Sequence, residues 1–179
     1  MPMHYEAWQH VLGRRGVTLD RDRYFALAGV PTRKILATLT VEQGVALDFD
    51  ELVVLKERLF LEQVHRAVPL DPAFSIARFF QGKKPMAIVS GGMRRAVART
   101  LDLIGATAFF ATVVTAEDTE IHKPDPEPFL LAAARLEADP ASCLVFEDGD
   151  PGIQAARAAG MQVIDVRQER SVPPWTSLD

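Results

Sequence analysis

The second half of the chain is a series of short apolar runs, each ending in small or polar residues and followed by a helix-forming stretch, and few folds accept that pattern. Met86-Ala-Ile-Val-Ser90 runs into Gly91-Gly92, and a helical stretch follows from Arg94 to about Leu103. Phe110 to Val114 reads as a second strand, and Pro128 to Leu136 as a helix. Its proline falls in the first turn, where no N–H donor is needed. Ser142-Cys-Leu-Val-Phe146 is a strand of buried type and is followed by Glu147-Asp148-Gly149. Ile153 to Ala159 is helical, Gly160 stops it, and Met161 to Val166 is a last strand. Strands alternating with helices imply a parallel sheet, so the expected class is α/β.

The first half has another texture. Residues 1 to about 70 read as helices alone. Tyr5, Trp8, Val11 and Leu12 recur at helical spacing before Gly13 and Gly16. Asp22 to Leu27 is expected to be helical and to stop at Gly29. Thr32 is expected to cap a helix that runs to about Gln43 and ends at Gly44. Asp50 is expected to cap the next, in which Leu52, Leu55, Leu59, Phe60 and Val64 form an apolar stripe. The expected division is a helical unit over 3–70, an α/β unit over 71–170 and a frayed or extended tail over 171–179.

Composition narrows the function classes. With a net charge of -4 there is no basic excess to neutralise nucleic-acid phosphates. The single cysteine, Cys143, excludes an internal disulfide and fits a reducing compartment. No apolar run approaches a membrane span, and the first residues are neither a basic nor an apolar leader segment. A cytoplasmic protein acting on a small molecule is expected, as a monomer or weak dimer, with no nucleic acid and no membrane as partner.

In open α/β sheets, ligands bind at the carboxyl ends of the strands. Three such ends carry polar residues here. At Ser90-Gly91-Gly92, a hydroxyl and glycine N–H groups sit where a helix begins. That suits a phosphate oxygen, and it also suits ordinary helix capping. In His122-Lys123-Pro124-Asp125-Pro126, prolines fix the entry to a helix. Lys123 is then either a rigid ammonium facing a phosphoryl group or a solvated loop lysine. At Phe146-Glu147-Asp148-Gly149-Asp150, adjacent carboxylates would repel each other. Oxygen ligands so placed suit Mg²⁺. The alternative is favourable electrostatics at a helix N-terminus, which fits Asp150 better than Glu147 and Asp148.

Taken together, AIVSGG, HKPDPEPF and VFEDGDPGIQAARAAGM, in that order and each after a strand, resemble the last three motifs of the haloacid dehalogenase superfamily. The helical first half is similar to the small cap of the β-phosphoglucomutase-like branch. Within that branch the resemblance is closest to small sugar-phosphate phosphatases of the fructose 1-phosphate type. It implies a Rossmann-like core with a helical cap and a Mg²⁺ cofactor. An aspartate would attack phosphorus to give an aspartyl-phosphate, and a second aspartate would serve as acid and base.

Residue by residue, the resemblance makes Ser90, Gly91 and Lys123 the phosphoryl-binding groups, with Ser90 and Lys123 catalytic. It makes Glu147 and Asp148 the metal ligands, and His4 and Lys56 cap residues facing the substrate. Each of the last two has a plainer alternative, a helix-surface histidine and a solvated lysine. Trp8 reads as core, and His10 and His65 as surface. Thr32 stands where the mutases carry an arginine, which argues against mutase activity. The family's first motif, with both catalytic aspartates, should lie just before His4, on a strand central to the sheet. Neither aspartate is found in this chain. The expectation is therefore a chain inactive as given. The alternatives are a non-catalytic phosphate- or sugar-binding protein, or a β-phosphoglucomutase.

Overall fold

Aspartate caps start two helices of the first half. The computed structural model describes residues 2–69, 71 and 73–167. Helix α1 (Pro2–Gly13) buries Ala7, Trp8, Val11 and Leu12 along one face. Helix α2 (Arg21–Ala26) is capped by Asp20, whose carboxylate accepts from the Arg23 N–H at 2.7 Å. Helix α3 (Thr32–Gln43) begins differently from expectation. Pro31 holds the extended N-cap position and Thr32 is the first helical residue, with its side chain buried. Proline's fixed φ suits the entry to a helix. Gly44 ends α3 in the left-handed region, at φ 66°. Helix α4 (Phe49–Gln63) is capped by Asp48 rather than Asp50, through a 3.0 Å bond from the Glu51 N–H. Asp50 lies in the first turn and pairs with Arg33. Trp8, Leu12, Leu36, Leu39 and Leu52 form the centre of the core these helices share.

All described strands lie in the second half. Helix α5 (Ala73–Phe80) precedes them and was not expected from the sequence. Its Phe74, Ile76, Phe79 and Phe80 make a nearly continuous apolar run that periodicity does not resolve. Then follow β1 (Ala87–Val89), α6 (Arg94–Leu103), β2 (Thr112–Val114), α7 (Glu127–Arg135), β3 (Leu144–Glu147), α8 (Asp150–Ala158) and β4 (Gln162–Asp165). The strands are shorter than expected at their starts, because 3₁₀ turns at Thr107–Phe109 and Pro140–Ser142 occupy the approaches. Helices α7 and α8 begin earlier than expected, with Pro128 and Pro151 in their first turns.

Strands β1 and β2 pair in parallel, with Ile88 opposite Val113. Strands β3 and β4 pair in parallel, with Phe146 opposite Ile164. Among the described residues no strand joins the two pairs. In a parallel ladder one residue turns its N–H and C=O to one neighbour, and the next residue turns the other way. The Ser90 N–H bonds Val114 O and Met86 O accepts from Ala111, so Ala87 and Val89 turn away from β2. Cys143 O and Glu147 O accept from Gln162 and Val166, so Leu144 and Phe146 turn away from β4. A cavity of about 390 Å³ is lined by Ile88 and Val89 from one pair and by Phe146 and Glu147 from the other. No helix among the described residues is long and apolar enough to cross a membrane.

Candidate active site

Lys123 is placed by the turn that leaves β2. The Thr115 N–H and hydroxyl both donate to Asp118 Oδ2, at 2.8 and 2.7 Å. Arg94 and Arg135 close on the same carboxylate at 2.9 and 2.8 Å. Burial alone would raise that carboxyl, but the hydrogen bonds from Arg135, Thr115 and Arg94 outweigh it and hold Asp118 well below the usual carboxylate range. Beyond this knot the chain enters a cis Lys123–Pro124 bond. Lys123 is 3% exposed, which excludes the solvated-lysine alternative. Its Nζ donates to Val89 O at 3.0 Å and pairs with Glu147 Oε2 at 2.7 Å, 4.8 Å from the centre of the Phe129 ring. The Val89 carbonyl is one of those turned away from β2, so the ammonium satisfies an acceptor that the strand pair leaves open.

Glu147 is held on every side. Its Oε1 accepts from the Asp148 and Gly149 N–H groups at 3.0 and 3.1 Å, while Oε2 faces Lys123. A Cβ on Gly152 would lie 2.1 Å from that same Oε2, so α8 approaches this closely only because residue 152 is glycine. Asp148 lines the cavity beside it. Burial and the charge of Glu147 raise its carboxyl above the ordinary range. Tyr24, from α2, lines the same cavity, and its phenol is raised by burial and by the charge of Asp148. Asp150 instead pairs with Arg167 at 2.8 Å, at the surface. A divalent cation suits this corner through its hard oxygen donors and through Asp148, whose charged form it would stabilise. The donor set of this corner is partial, however. Among the described residues no three His, Cys, Asp or Glu side chains converge.

The strand end after β1 lines the cavity and does not cap α6, whose N-cap is Met93 and whose Arg94 N–H donates to Glu117 Oε2 at 2.8 Å. Ser90 Oγ accepts from the Gly92 N–H at 3.1 Å, which leaves the hydroxyl proton to donate elsewhere. Gly91 admits the helical half: a Cβ there would sit 2.0 Å from Gly29 O. Gly149 does the same on the other strand end, where a Cβ would lie 2.8 Å from Ala28 O. The turn Ala28–Gly29 is thus seated against both strand ends, with Gly29 at φ 81° beside the Lys123 stem.

The helical half contributes the opposite wall. Lys56, on α4, is 4% exposed and pairs with Glu57 at 3.1 Å. His4 stacks face to face on Phe60, with ring centres 3.9 Å apart. Both line the cavity, so neither the solvated lysine nor the helix-surface histidine describes them. Burial lowers the Lys56 amine against the opposing pull of Glu57. Burial and the charge of Lys56 lower His4 well below its ordinary value, so its ring is neutral. Trp8 belongs to the helical core and also reaches the cavity wall. His10 and His65 are exposed. The structure therefore brings Ser90, Gly91, Lys123, Glu147, Asp148, His4 and Lys56 around one cavity. Sequence reading missed Tyr24, Asp118 and Gly152. Only Gly152 left a signal, a glycine inside a helix that an alanine would favour.

A parallel α/β core that turns a hydroxyl, a buried lysine and paired carboxylates into a helix-walled cavity defines a hydrolase of the phosphoryl-handling class. Residues 1–160 match the family model of haloacid dehalogenase-like hydrolases, and the chain belongs to that family. It is 37% identical over 166 residues to the fructose-1-phosphate phosphatase YqaB of Escherichia coli, covering 93% of this chain and 88% of that one. It is 28% identical over 172 residues to the β-phosphoglucomutase of Bacillus subtilis, covering 92% and 76%. The crystal structure of β-phosphoglucomutase from Clostridium difficile superposes with a TM-score of 0.81 at 20% identity, over 91% of this chain and 76% of that one. The family and the phosphatase relative make the protein, by class, a phosphomonoester hydrolase.

Proposed function

We propose that this cavity is the phosphoryl site of a Mg²⁺-assisted phosphatase acting on small phosphorylated sugars. The observation that carries the reading is Lys123, a buried ammonium held between Val89 O and Glu147 and aimed at the cavity that Ser90 and Gly91 share. An ammonium fixed before substrate arrives stabilises developing phosphoryl charge without reorganising. The likeness to a fructose-1-phosphate phosphatase supports sugar monophosphates as the substrate class. In this reading Ser90 and the Gly91 N–H bind phosphoryl oxygens, and Lys123 neutralises them. Asp148, and Glu147 through water because both its oxygens already accept hydrogen bonds, would hold Mg²⁺, which when bound supplies charge neutralisation and orientation at the phosphoryl group.

Hydrolysis in this family's manner needs an aspartate as nucleophile. The carboxylates among the described lining residues are Glu147 and Asp148. Glu147 is taken by Lys123 and two N–H groups, and Asp148 belongs to the metal corner. The 179-residue chain is therefore expected to bind phosphate without turning over p-nitrophenyl phosphate or fructose 1-phosphate in the presence of Mg²⁺. Turnover that survives purification and vanishes in Lys123→Ala would show that another group acts as nucleophile. Against the mutase alternative, the cavity wall carries neutral Thr32, and its neighbour Arg33 is turned outward onto Asp50.

A further inference from the structure

The cavity has two ends of different electrical character. At the strand ends, Lys123 and the Ser90-Gly91 backbone face the space where a phosphoryl group belongs. At the helical end, the lining is Lys56, His4 and Thr32 set among Trp8, Ile35 and Phe60. Lys56 is the cation of that wall among the described residues, and it is already matched by Glu57, with the two side chains only 5% and 15% exposed. Consecutive helical residues diverge around the axis and do not ordinarily meet, yet Lys56 Nζ and Glu57 Oε1 are 3.1 Å apart. His4 lies flat on Phe60, at 6° between ring planes, which presents its nitrogens edge-on and adds no charge while the ring stays neutral.

Resting on the sugar-phosphate reading above, we infer that Glu57 sets the choice of leaving group. By neutralising Lys56 it makes the helical end of the cavity suit the hydroxyls of an uncharged polyol and reject a second phosphate. An amine, an imidazole and the Thr32 hydroxyl can exchange hydrogen bonds with sugar hydroxyls. A second phosphate placed there would be desolvated beside the Glu57 carboxylate with no unmatched cation to receive it. Glu57 acts through Lys56 and is a positioning residue.

Calorimetry on the purified protein tests this with three probes: inorganic phosphate, fructose 1-phosphate and fructose 1,6-bisphosphate. The unmodified protein is expected to favour the monophosphate by about tenfold or more, the scale on which like-charge placement rejects a ligand. Glu57→Gln is expected to raise bisphosphate affinity about tenfold while changing monophosphate affinity little, because it frees the Lys56 charge. Glu57→Asp keeps the charge and is expected to keep the original order. A merely structural role for Glu57 would weaken both sugar ligands together and leave their ratio unchanged, which overturns the inference. So does an unmodified protein that binds the bisphosphate as tightly as the monophosphate. Failure to bind inorganic phosphate would instead remove the phosphoryl site itself, and the functional reading with it. Inorganic phosphate binding with the wrong ratio removes only the role given to Glu57.

Discussion

Lys123 and Glu147 carry opposite charges into a nearly dry corner, with side chains 4% and 10% exposed. Removing one partner leaves the other buried and uncompensated. Lys123→Ala should therefore cost about 3–5 kcal/mol of folding stability, quite apart from any effect on chemistry. Lys123→Met combined with Glu147→Gln should recover much of that loss, since no lone charge remains. Urea titration of the two variants side by side checks both statements. Gly152 makes a second test. Glycine to alanine within a helix ordinarily stabilises by about 1 kcal/mol. Here the new methyl would meet the Glu147 carboxylate, which Lys123 and two N–H groups keep from moving aside. Gly152→Ala is expected to reverse sign and destabilise by about 1–3 kcal/mol, read as a lower urea midpoint. The clustering of polar residues at strand ends was legible in the sequence: Ser90, Lys123, Glu147 and Asp148 all line the one cavity. Gly152 and Tyr24 were not, because their importance lies in what the fold brings against them.

Among the elements, the segment between β2 and α7 shows why local pattern falls short. The proline-fixed entry to α7 was readable, and Lys123 was picked out within it. The device that fixes its start is Asp118, joined to Thr115 in its own turn, to Arg94 on α6 and to Arg135 on α7. Two of those partners are distant in sequence, so nothing local signals the knot. Its carboxylate is held below the ordinary range, and the side chain is 7% exposed. Hydrogen bonds to a charged group of this kind contribute about 2 kcal/mol. An aspartate in the unfolded chain titrates near 3.9, so with a depressed folded value the contribution is full above about pH 4. It is lost as pH falls through the folded value. The stability gap between the unmodified protein and Asp118→Asn should be constant from neutral pH down to about pH 5 and shrink below about pH 4. Urea midpoints measured across that range would show it; a gap that widens toward acid contradicts the assignment. The caps of α3 and α4 were misjudged by one and two residues for a related reason. Several cap-competent residues cluster at Pro31-Thr32 and at Asp48-Phe49-Asp50, and only the three-dimensional path chooses among them.

At the scale of the molecule, the two strand pairs and the helical half meet around a shared cavity, so in the proposed reading phosphoryl chemistry and leaving-group recognition fall to different walls. That separation was legible as a contrast between a helical half and an alternating half, but the meeting of the walls depends on close backbone approach at Gly91 and Gly149. It also makes a kinetic prediction. A chain extended ahead of Met3 by a strand bearing the Asp-x-Asp pair is expected to become a Mg²⁺-dependent phosphatase on small phosphorylated sugars. In that enzyme Lys123→Ala should lower the rate by several orders of magnitude, because it removes the charge facing the phosphoryl oxygens. Ser90→Ala should cost less, since the Gly91 and Gly92 N–H groups remain. Lys56 lies on the opposite wall, where the proposed reading puts the leaving group. Lys56→Ala should therefore raise KM for fructose 1-phosphate and spare p-nitrophenyl phosphate, whose leaving group offers no hydroxyls to that wall. The deciding quantity is the ratio of kcat/KM for the two substrates in Lys56→Ala against the unmutated enzyme. An equal fall on both would mean that Lys56 supports the fold of the cap and does not read the sugar.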